Sequence, residues 1–522
     1  MIRVLTSDSQ SELLSWLSLP STYDTIGKVE RIDTHISSIF LVDDRAYKLK
    51  RAVFLPFLDF TTLEQRRIAC ERELVINQRV APEIYLGLIS VTRKNDGNLE
   101  FDGHGKILDW LIVMKQFKQD NLFNKLADNW KLSINDVCLL ADVIADFHRS
   151  SELQTTYGGE IAIRSVIDGN AVSLAKFVPF LFDPIQVERV IEQSKTWLIN
   201  IASELEKRRV LGFVRKSHGD LHLGNICLFN GKPTLFDAIE FNEDFACIDV
   251  FYDLAFLIMD FEMKGLFNFA SIVFNRYLER TGDLEAVSVL PLFLSLRACI
   301  RAHILAETAT VTTNQNYQNY NNAKSYLAKS LTYLTPSPPC LLAIGGLSGS
   351  GKSTLASNLA PFLGASPGAV LLRSDVLRKR LAGIDSKEHL SEAGYTIEMT
   401  KRTYNSIYEH AEQILKRGHS VIVDAVFFKQ YQRDDIEAVA RRVDIPFEGI
   451  WLFSTSEILH SRIKERFNDV SDATVSTLEQ QLISQLEQVN WKYQDTSNGI
   501  KETFMSVRKS LKIFNPNNVT CL

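Results

Sequence analysis

Apolar and polar positions in this chain follow two different rhythms. Near the start, Ser37 to Val42 and Arg45 to Lys50 alternate around Asp43-Asp44, which predicts a β-hairpin. The charged stretch Thr62 to Val80 then carries apolar residues at helical spacing, giving a small sheet-plus-helix lobe. Trp110 to Phe117 predicts a buried strand and Ile134 to Arg149 a helix. Helical patterns dominate from there to residue 334 and predict a larger helical lobe. Beyond residue 340 short apolar runs alternate with helical patterns, at Leu341 to Ile344, Ala369 to Leu372, Ser420 to Val423 and Glu448 to Phe453, which predicts βαβ units and a parallel sheet.

The two rhythms meet at Leu334-Thr335-Pro336-Ser337-Pro338-Pro339, where prolines remove backbone donors and force an extended path. The expected organisation is a first domain over residues 1–335, a Pro-rich linker over 336–339 and a second domain over 340–522. Upstream, Asn314 to Asn322 is rich in Asn and Tyr and is expected as a loop beside a helix. A length of 522 residues exceeds what one core supports, in keeping with two domains.

A net charge of −5 gives no chain-wide footprint for nucleic acid or an anionic membrane, so the expected partners are small molecules. Seven scattered cysteines without a C-x-x-C pair indicate neither a disulfide framework nor a zinc knuckle and fit a reducing cytoplasm. No apolar run approaches the ~20 residues of a membrane span, and the N-terminal residues lack the apolar core of a secretory signal.

The first candidate chemistry lies in Ser217-His218-Gly219-Asp220-Leu221-His222-Leu223-Gly224-Asn225, with Asp237 beyond a Gly231-Lys232-Pro233 turn. Phosphoryl transfer needs a carboxylate to orient the attacking hydroxyl and hard oxygen ligands to hold magnesium on the phosphates. Asp220 suits the first task, and Asn225 and Asp237, returned to one place by a hairpin, suit the second. The competing view is a hydrogen-bonded loop in an inactive kinase fold; His222 reads as a packing or hydrogen-bonding residue.

These segments, with Phe236-Asp237-Ala238-Ile239-Glu240 and Tyr252-Asp253-Leu254-Ala255, resemble the aminoglycoside phosphotransferase and choline kinase superfamily. The resemblance implies an α+β, protein-kinase-like bilobal fold over most of residues 30–310, with Asp220 as catalytic base, Asn225 and Asp237 as magnesium ligands and Asp253 structural. It further implies that Lys48 contacts the ATP phosphates and pairs with Glu73, although Lys50 shares the strand face of Lys48 and Glu71 competes with Glu73. Met114, within Val113 to Phe117, would lie at the hinge beside adenine. No glycine lies between Asp33 and Lys48, so the glycine-rich phosphate loop of protein kinases is missing and Ser37-Ser38 would stand in for it.

The second chemistry is stronger. Gly346-Leu347-Ser348-Gly349-Ser350-Gly351-Lys352-Ser353-Thr354 fulfils the P-loop pattern between a predicted strand and the helical Ser353 to Phe362. Its amides would cradle phosphates, Lys352 would reach the β and γ phosphates, and Ser353 would ligate magnesium. Asp375 in Arg373-Ser374-Asp375 is the candidate base for a substrate hydroxyl, or else a helix N-cap. Asp424, closing Val421-Ile422-Val423, would hold magnesium through water, or else ends a strand. Arg462 and Arg466, four apart, would clamp the transferring phosphate, or else form a solvated face. Residues 340 to about 490 resemble the small-molecule P-loop kinases grouped near gluconate kinase, polynucleotide kinase and zeta toxin, an α/β P-loop fold with a parallel sheet.

The expected activity is a bifunctional cytoplasmic kinase using ATP and Mg2+ on hydroxyls of small molecules. The alternatives are a catalytic domain regulated by a non-catalytic nucleotide-binding one, and a toxin-like nucleotide-sugar kinase restrained by the first domain.

Overall fold

Strand order explains how the first set of residues is presented. In a computed structural model of the protein, which describes residues 3–4, 8–55, 58–311, 316–385, 388–390, 392–465 and 471–511, the chain forms two compact units. One comprises residues 1–163 and 205–260, the other 164–204 and 261–522.

The first unit holds a six-stranded antiparallel sheet in the order Glu30–Asp33, Ser37–Val42, Arg45–Lys50, Lys106–Lys115, Tyr85–Arg93, Leu99–Phe101. The expected hairpin is present with its expected ends, turning on Asp43, whose φ of 50° is one that Asp tolerates. Successive side chains of the strand Arg45–Lys50 leave on opposite faces. Leu49 therefore packs with Leu13, Leu17, Phe40 and Leu111, while Lys48 and Lys50 point the other way. On that other face lies the helix Leu63–Gln78, opened by a capping box in which Thr62 and Gln65 satisfy each other's backbone amides. Cys70 from this helix joins Tyr85, Ile112 and Cys227 in a second core. The helix Ile134–Ser150 and the hairpin Ile226–Phe229 with Lys232–Leu235 complete the part that positions the site.

The second unit contains a five-stranded parallel sheet in the order Val370–Arg373, Val421–Asp424, Leu341–Gly346, Phe447–Phe453, Lys492–Asp495. The four apolar runs become strands within two residues of their expected ends; the fifth strand, Lys492–Asp495, is polar at most positions and carries no strand signal in the sequence. The P-loop strand Leu341–Gly346 sits in the middle, buried on both faces as parallel strands are. The Pro-rich segment 336–339 lies within this unit, between the helix Asn316–Tyr333 and the central strand. One expectation is corrected here. Asn316 to Asn322 opens that helix instead of forming a loop, because Ala323 and Leu327 one turn on are fully buried and pull the polar start into helical register; residues 314 and 315 lie outside the described residues.

Helices of the same unit cover the outer edge of the sheet. The carboxamide of Asn275, on the helix Phe267–Thr281, donates to Ala369 O at 3.1 Å and accepts from Leu371 N at 2.7 Å, pairing backbone groups that an edge strand leaves open. Among the described residues no helix is long and apolar enough to cross a membrane.

Candidate functional sites

The first unit gathers Lys48, Glu73, Asp220, Asn225 and Asp237 from four separate stretches of chain, Asp220 and Asn225 sharing one loop. Lys48 Nζ lies 2.7 Å from Glu73 Oε1 and 2.5 Å from Asp237 Oδ1. Both lysines on the strand use Glu73, since Lys50 Nζ lies 2.6 Å from its other oxygen and also pairs with Glu240. Glu71 instead faces solvent and pairs with Arg67 on its own helix. The periodicity could not choose between the lysines because both lie on the right face. Tertiary structure divides their roles: Lys50 is fully buried, while Lys48 reaches the partly exposed Asp237.

The charges follow from this packing. Burial favours the neutral form of Glu73, but Lys48 and Lys50 together hold its carboxyl down to about 2. Burial likewise opposes the charge on Lys48, and Asp237 with Glu73 overcomes it, so its ammonium titrates well above the ordinary lysine range. Glu240 is pushed upward by burial, with Lys50 only partly offsetting the cost.

The loop carrying Asp220 is braced from beneath. Asp253, fully buried, accepts from the amides of His218 at 2.9 Å and Gly219 at 3.0 Å and meets His148 Nε2 at 3.2 Å. Gly219 has φ of 82°, and a Cβ there would stand 2.7 Å from Phe245 O, so the turn requires glycine. Asn225 Nδ2 donates to Asp220 O at 3.0 Å and Oδ2 at 2.9 Å. Its nitrogen is thereby spent on Asp220, leaving the carbonyl oxygen to act as a ligand. Asp237 adopts φ of 62°, its amide donating to the Tyr85 hydroxyl at 3.1 Å, while the next amide, of Ala238, donates to Asn77 Oδ1 at 3.0 Å. Oxygens of Asn225 and Asp237 are the hard donors that Mg2+ takes. His222 caps the short turn Leu223–Asn225 through Nδ1 and stands 3.3 Å from Asp220 Oδ2.

Met114, half-buried, lies near the end of the strand Lys106–Lys115, in register with Ala46 and Tyr85. Ser37 and Ser38 are both buried, the Ser37 hydroxyl with no hydrogen-bond partner among the described residues and the Ser38 hydroxyl donating to Asp33 at 2.6 Å. Thr34-His35-Ile36 connects the strands Glu30–Asp33 and Ser37–Val42.

The second unit holds a cavity of about 880 Å³ lined by Ser348 to Leu355, Arg373, Asp375, Arg378, Asp424 and Arg462, among others, a size suited to a nucleotide and a small acceptor. Gly346, Gly349 and Gly351 have φ of 143°, 84° and 92°. Glycine is required at the first, where a Cβ would approach Leu452 O to 2.5 Å. Lys352 opens the helix Lys352–Leu359, with its Nζ donating to Leu347 O at 3.0 Å. The Ser350 hydroxyl is buried with no hydrogen-bond partner among the described residues, an orphan that a phosphate oxygen would satisfy. Ser353 and Thr354 line the same cavity.

Asp424 is buried at the end of its strand with Arg373 Nε 3.5 Å away. Asp375 lies in the first turn of the helix Ser374–Leu381, whose N-cap position is taken by Arg373, so it is free of the capping task and lines the cavity. Arg462 is tied to Thr496, at 3.0 Å to Oγ1 and 2.6 Å to the carbonyl. Its expected companion Arg466 lies outside the described residues. Sequence reasoning missed the far side of this cavity. Arg378 is buried over the Tyr395 ring at 4.9 Å, and Asp472 accepts from Lys379 Nζ at 3.1 Å and the Tyr395 hydroxyl at 3.1 Å. Arg378 follows Asp375 by three residues and was legible as sharing its helix face; Asp472, about a hundred residues on, had no such signal.

A family model described as AAA domain matches residues 341–486. Uncharacterised proteins of Mycobacterium tuberculosis and Mycobacterium bovis are 26% identical over 449 residues, spanning 85% of this chain and 87% of theirs. Among solved structures, choline kinase from Cryptosporidium parvum is 9% identical with a TM-score of 0.41, covering 63% of this chain and 96% of that one. A gluconokinase from Sinorhizobium meliloti is 21% identical with a TM-score of 0.24, covering 32% of this chain and 89% of that one. A P-loop on a central parallel strand is a device for holding nucleotide phosphates, and a lysine fixed by a glutamate on an antiparallel sheet presents a cation suited to the same task. The chain has one part built on a six-stranded antiparallel sheet and another built on a five-stranded parallel sheet with a P-loop on its central strand, the mixed α/β architecture that the sequence predicts.

Proposed function

We propose that the chain is a bifunctional, cytoplasmic phosphotransferase in which each part binds MgATP and passes its γ-phosphoryl group to a hydroxyl of a small molecule, with functional domains at residues 1–335 and 340–522. The observation that carries this reading is a convergence found twice. In each unit a lysine and two carboxylates meet at one site, Lys48, Asp237 and Asp220 in the first and Lys352, Asp424 and Asp375 around one cavity in the second, and this grouping supports a metal ligand and an acceptor base in each.

In the first site Glu73 fixes Lys48, which exchanges Asp237 for the α and β phosphates when nucleotide enters. Asn225 and Asp237 would hold magnesium, which would supply countercharge to the phosphates. Asp220, steadied by Asn225, accepts the acceptor proton as the hydroxyl oxygen bonds to the γ-phosphorus, the β–γ bridge breaks and ADP departs. In the second site the P-loop amides and Lys352 hold the phosphates, Ser353 and Asp424 hold magnesium, and Asp375 orients the acceptor.

The test is ADP release by the whole chain against sugars, amino sugars, nucleosides and choline-like alcohols, with Asp220→Ala and Lys352→Ala each removing a separable part. Turnover unchanged in both variants would reject the reading. A second reading makes the first part a nucleotide sensor without turnover, favoured by a glycine-free Thr34-His35-Ile36 connection and by the burial of Ser37 and Ser38. It fails if an acceptor is found whose phosphorylation Asp220→Ala abolishes and Lys352→Ala leaves intact.

A further inference from the structure

The P-loop cavity contains a contact that the phosphoryl-transfer reading does not use. The amide of Ser348, one of the backbone donors of the loop, gives its hydrogen to Gln481 Oε1 at 2.9 Å. Gln481 sits 133 residues away, on the helix Val475–Ile483. Two features fix that helix. Leu478, fully buried, packs against Leu459 and Ile463, with Leu347 and Val475 beside them, so the helix leans on the P-loop itself. Just ahead of it, Asp472 accepts from Lys379 Nζ at 3.1 Å, Leu390 N at 3.2 Å and the Tyr395 hydroxyl at 3.1 Å. The carboxamide is thus delivered to the loop from an element held at both its start and its middle.

From this geometry, and resting on the reading of the P-loop as a nucleotide site, we infer that Gln481 is an internal occupant of the phosphate loop that nucleotide must displace. A buried amide left without an acceptor costs free energy, and the Gln481 oxygen removes that cost while the loop is empty. A phosphate oxygen makes the stronger, charge-assisted bond to the same donor, so the nucleotide wins the amide and Gln481 is released. The contact therefore weakens nucleotide affinity by what the neutral bond contributes, and loading the site frees the end of the helix Val475–Ile483 that borders the acceptor side.

The inference is tested by titrating the full-length protein with a non-hydrolysable MgATP analogue and following the part of the binding that Lys352→Ala removes. Gln481→Ala, which deletes the competitor, should tighten that binding by about three- to tenfold, the size of one net hydrogen bond. Gln481→Glu, which puts an anionic acceptor on the same amide and repels phosphate, should weaken it. Opposite signs for the two variants support displacement. Equal affinities throughout, or weakening in both, overturn it and leave the nucleotide site standing. If Lys352→Ala removes no binding from the wild-type chain, the P-loop reading itself is what fails.

Discussion

Replacing Lys50 with methionine separates a structural lysine from a catalytic one. Lys50 has no solvent exposure and sits between Glu73 and Glu240, with the Phe60 ring 5.0 Å from its Nζ. Lys50→Met roughly preserves volume but leaves Glu240 buried without its cation, and breaking a buried pair in this way costs about 3–5 kcal/mol. Lys48→Met removes a cation from Glu73, which keeps Lys50, and from Asp237, whose side chain is 44% exposed and returns to water; its expected cost is about 1–2 kcal/mol, a single charged hydrogen bond.

The pH dependence follows with a definite sign. Burial already pushes Glu240 upward, and a carboxylate raised in the folded state penalises folding above its unfolded value near 4.3, roughly. The Lys50→Met deficit should therefore be largest at pH 8 and shrink toward pH 5, as Glu240 takes a proton. Glu73 runs the other way: held down to about 2, it contributes stability above the unfolded carboxylate value that is lost as pH falls toward 2. Because a chain of several units need not unfold in one step, the assay is hydrogen exchange of peptides spanning 45–50 and 63–78, which reports local opening free energy. Adding Glu240→Gln to Lys50→Met should restore most of the protection. A Lys50→Met protein within about 1 kcal/mol of wild type, which is outside the range for a broken buried pair, or one that Glu240→Gln does not rescue, would refute the assignment.

Gly346→Ala places a Cβ 2.5 Å from Leu452 O at a φ of 143°; strain of about 1–3 kcal/mol should lower Lys352-dependent nucleotide binding by about five- to 150-fold in calorimetric titration. Asn275→Leu leaves Ala369 O and Leu371 N unpaired at the sheet edge, and faster hydrogen exchange at 369–372, corresponding to about 1–3 kcal/mol, is expected. His419 is buried, donates through Nε2 to Gly368 O at 2.8 Å and is pulled down by burial to about 4. As a base lowered in the folded state, it contributes stability that is complete above its unfolded value near 6.5, roughly, and is lost between there and 4, up to about 3 kcal/mol. Denaturation of His419→Gln followed across that window should show a flatter pH profile than wild type.

The sequence by itself determined whatever depends on neighbouring residues. Alternation about Asp43-Asp44 placed the hairpin to the residue, four apolar runs placed four parallel strands, and the glycine spacing at 346–351 placed the phosphate loop, because strand pleat and positive φ are local properties. The Asp220–Asn225 spacing was local too. Only the tertiary structure decided that Glu73 binds both lysines while Glu71 faces solvent, since both glutamates suit a helix and the choice rests on which helix face meets the sheet. It also decided that Ser37 and Ser38 are both buried, that a polar edge strand joins at 492–495, and that Gln481 and Asp472 close on the P-loop cavity. The choices among Lys48, Lys50 and Glu73 span 23 and 25 positions, and that between Gln481 and Ser348 spans 133; nothing in local preference encodes which non-neighbouring partner a buried charge or an open backbone amide will find.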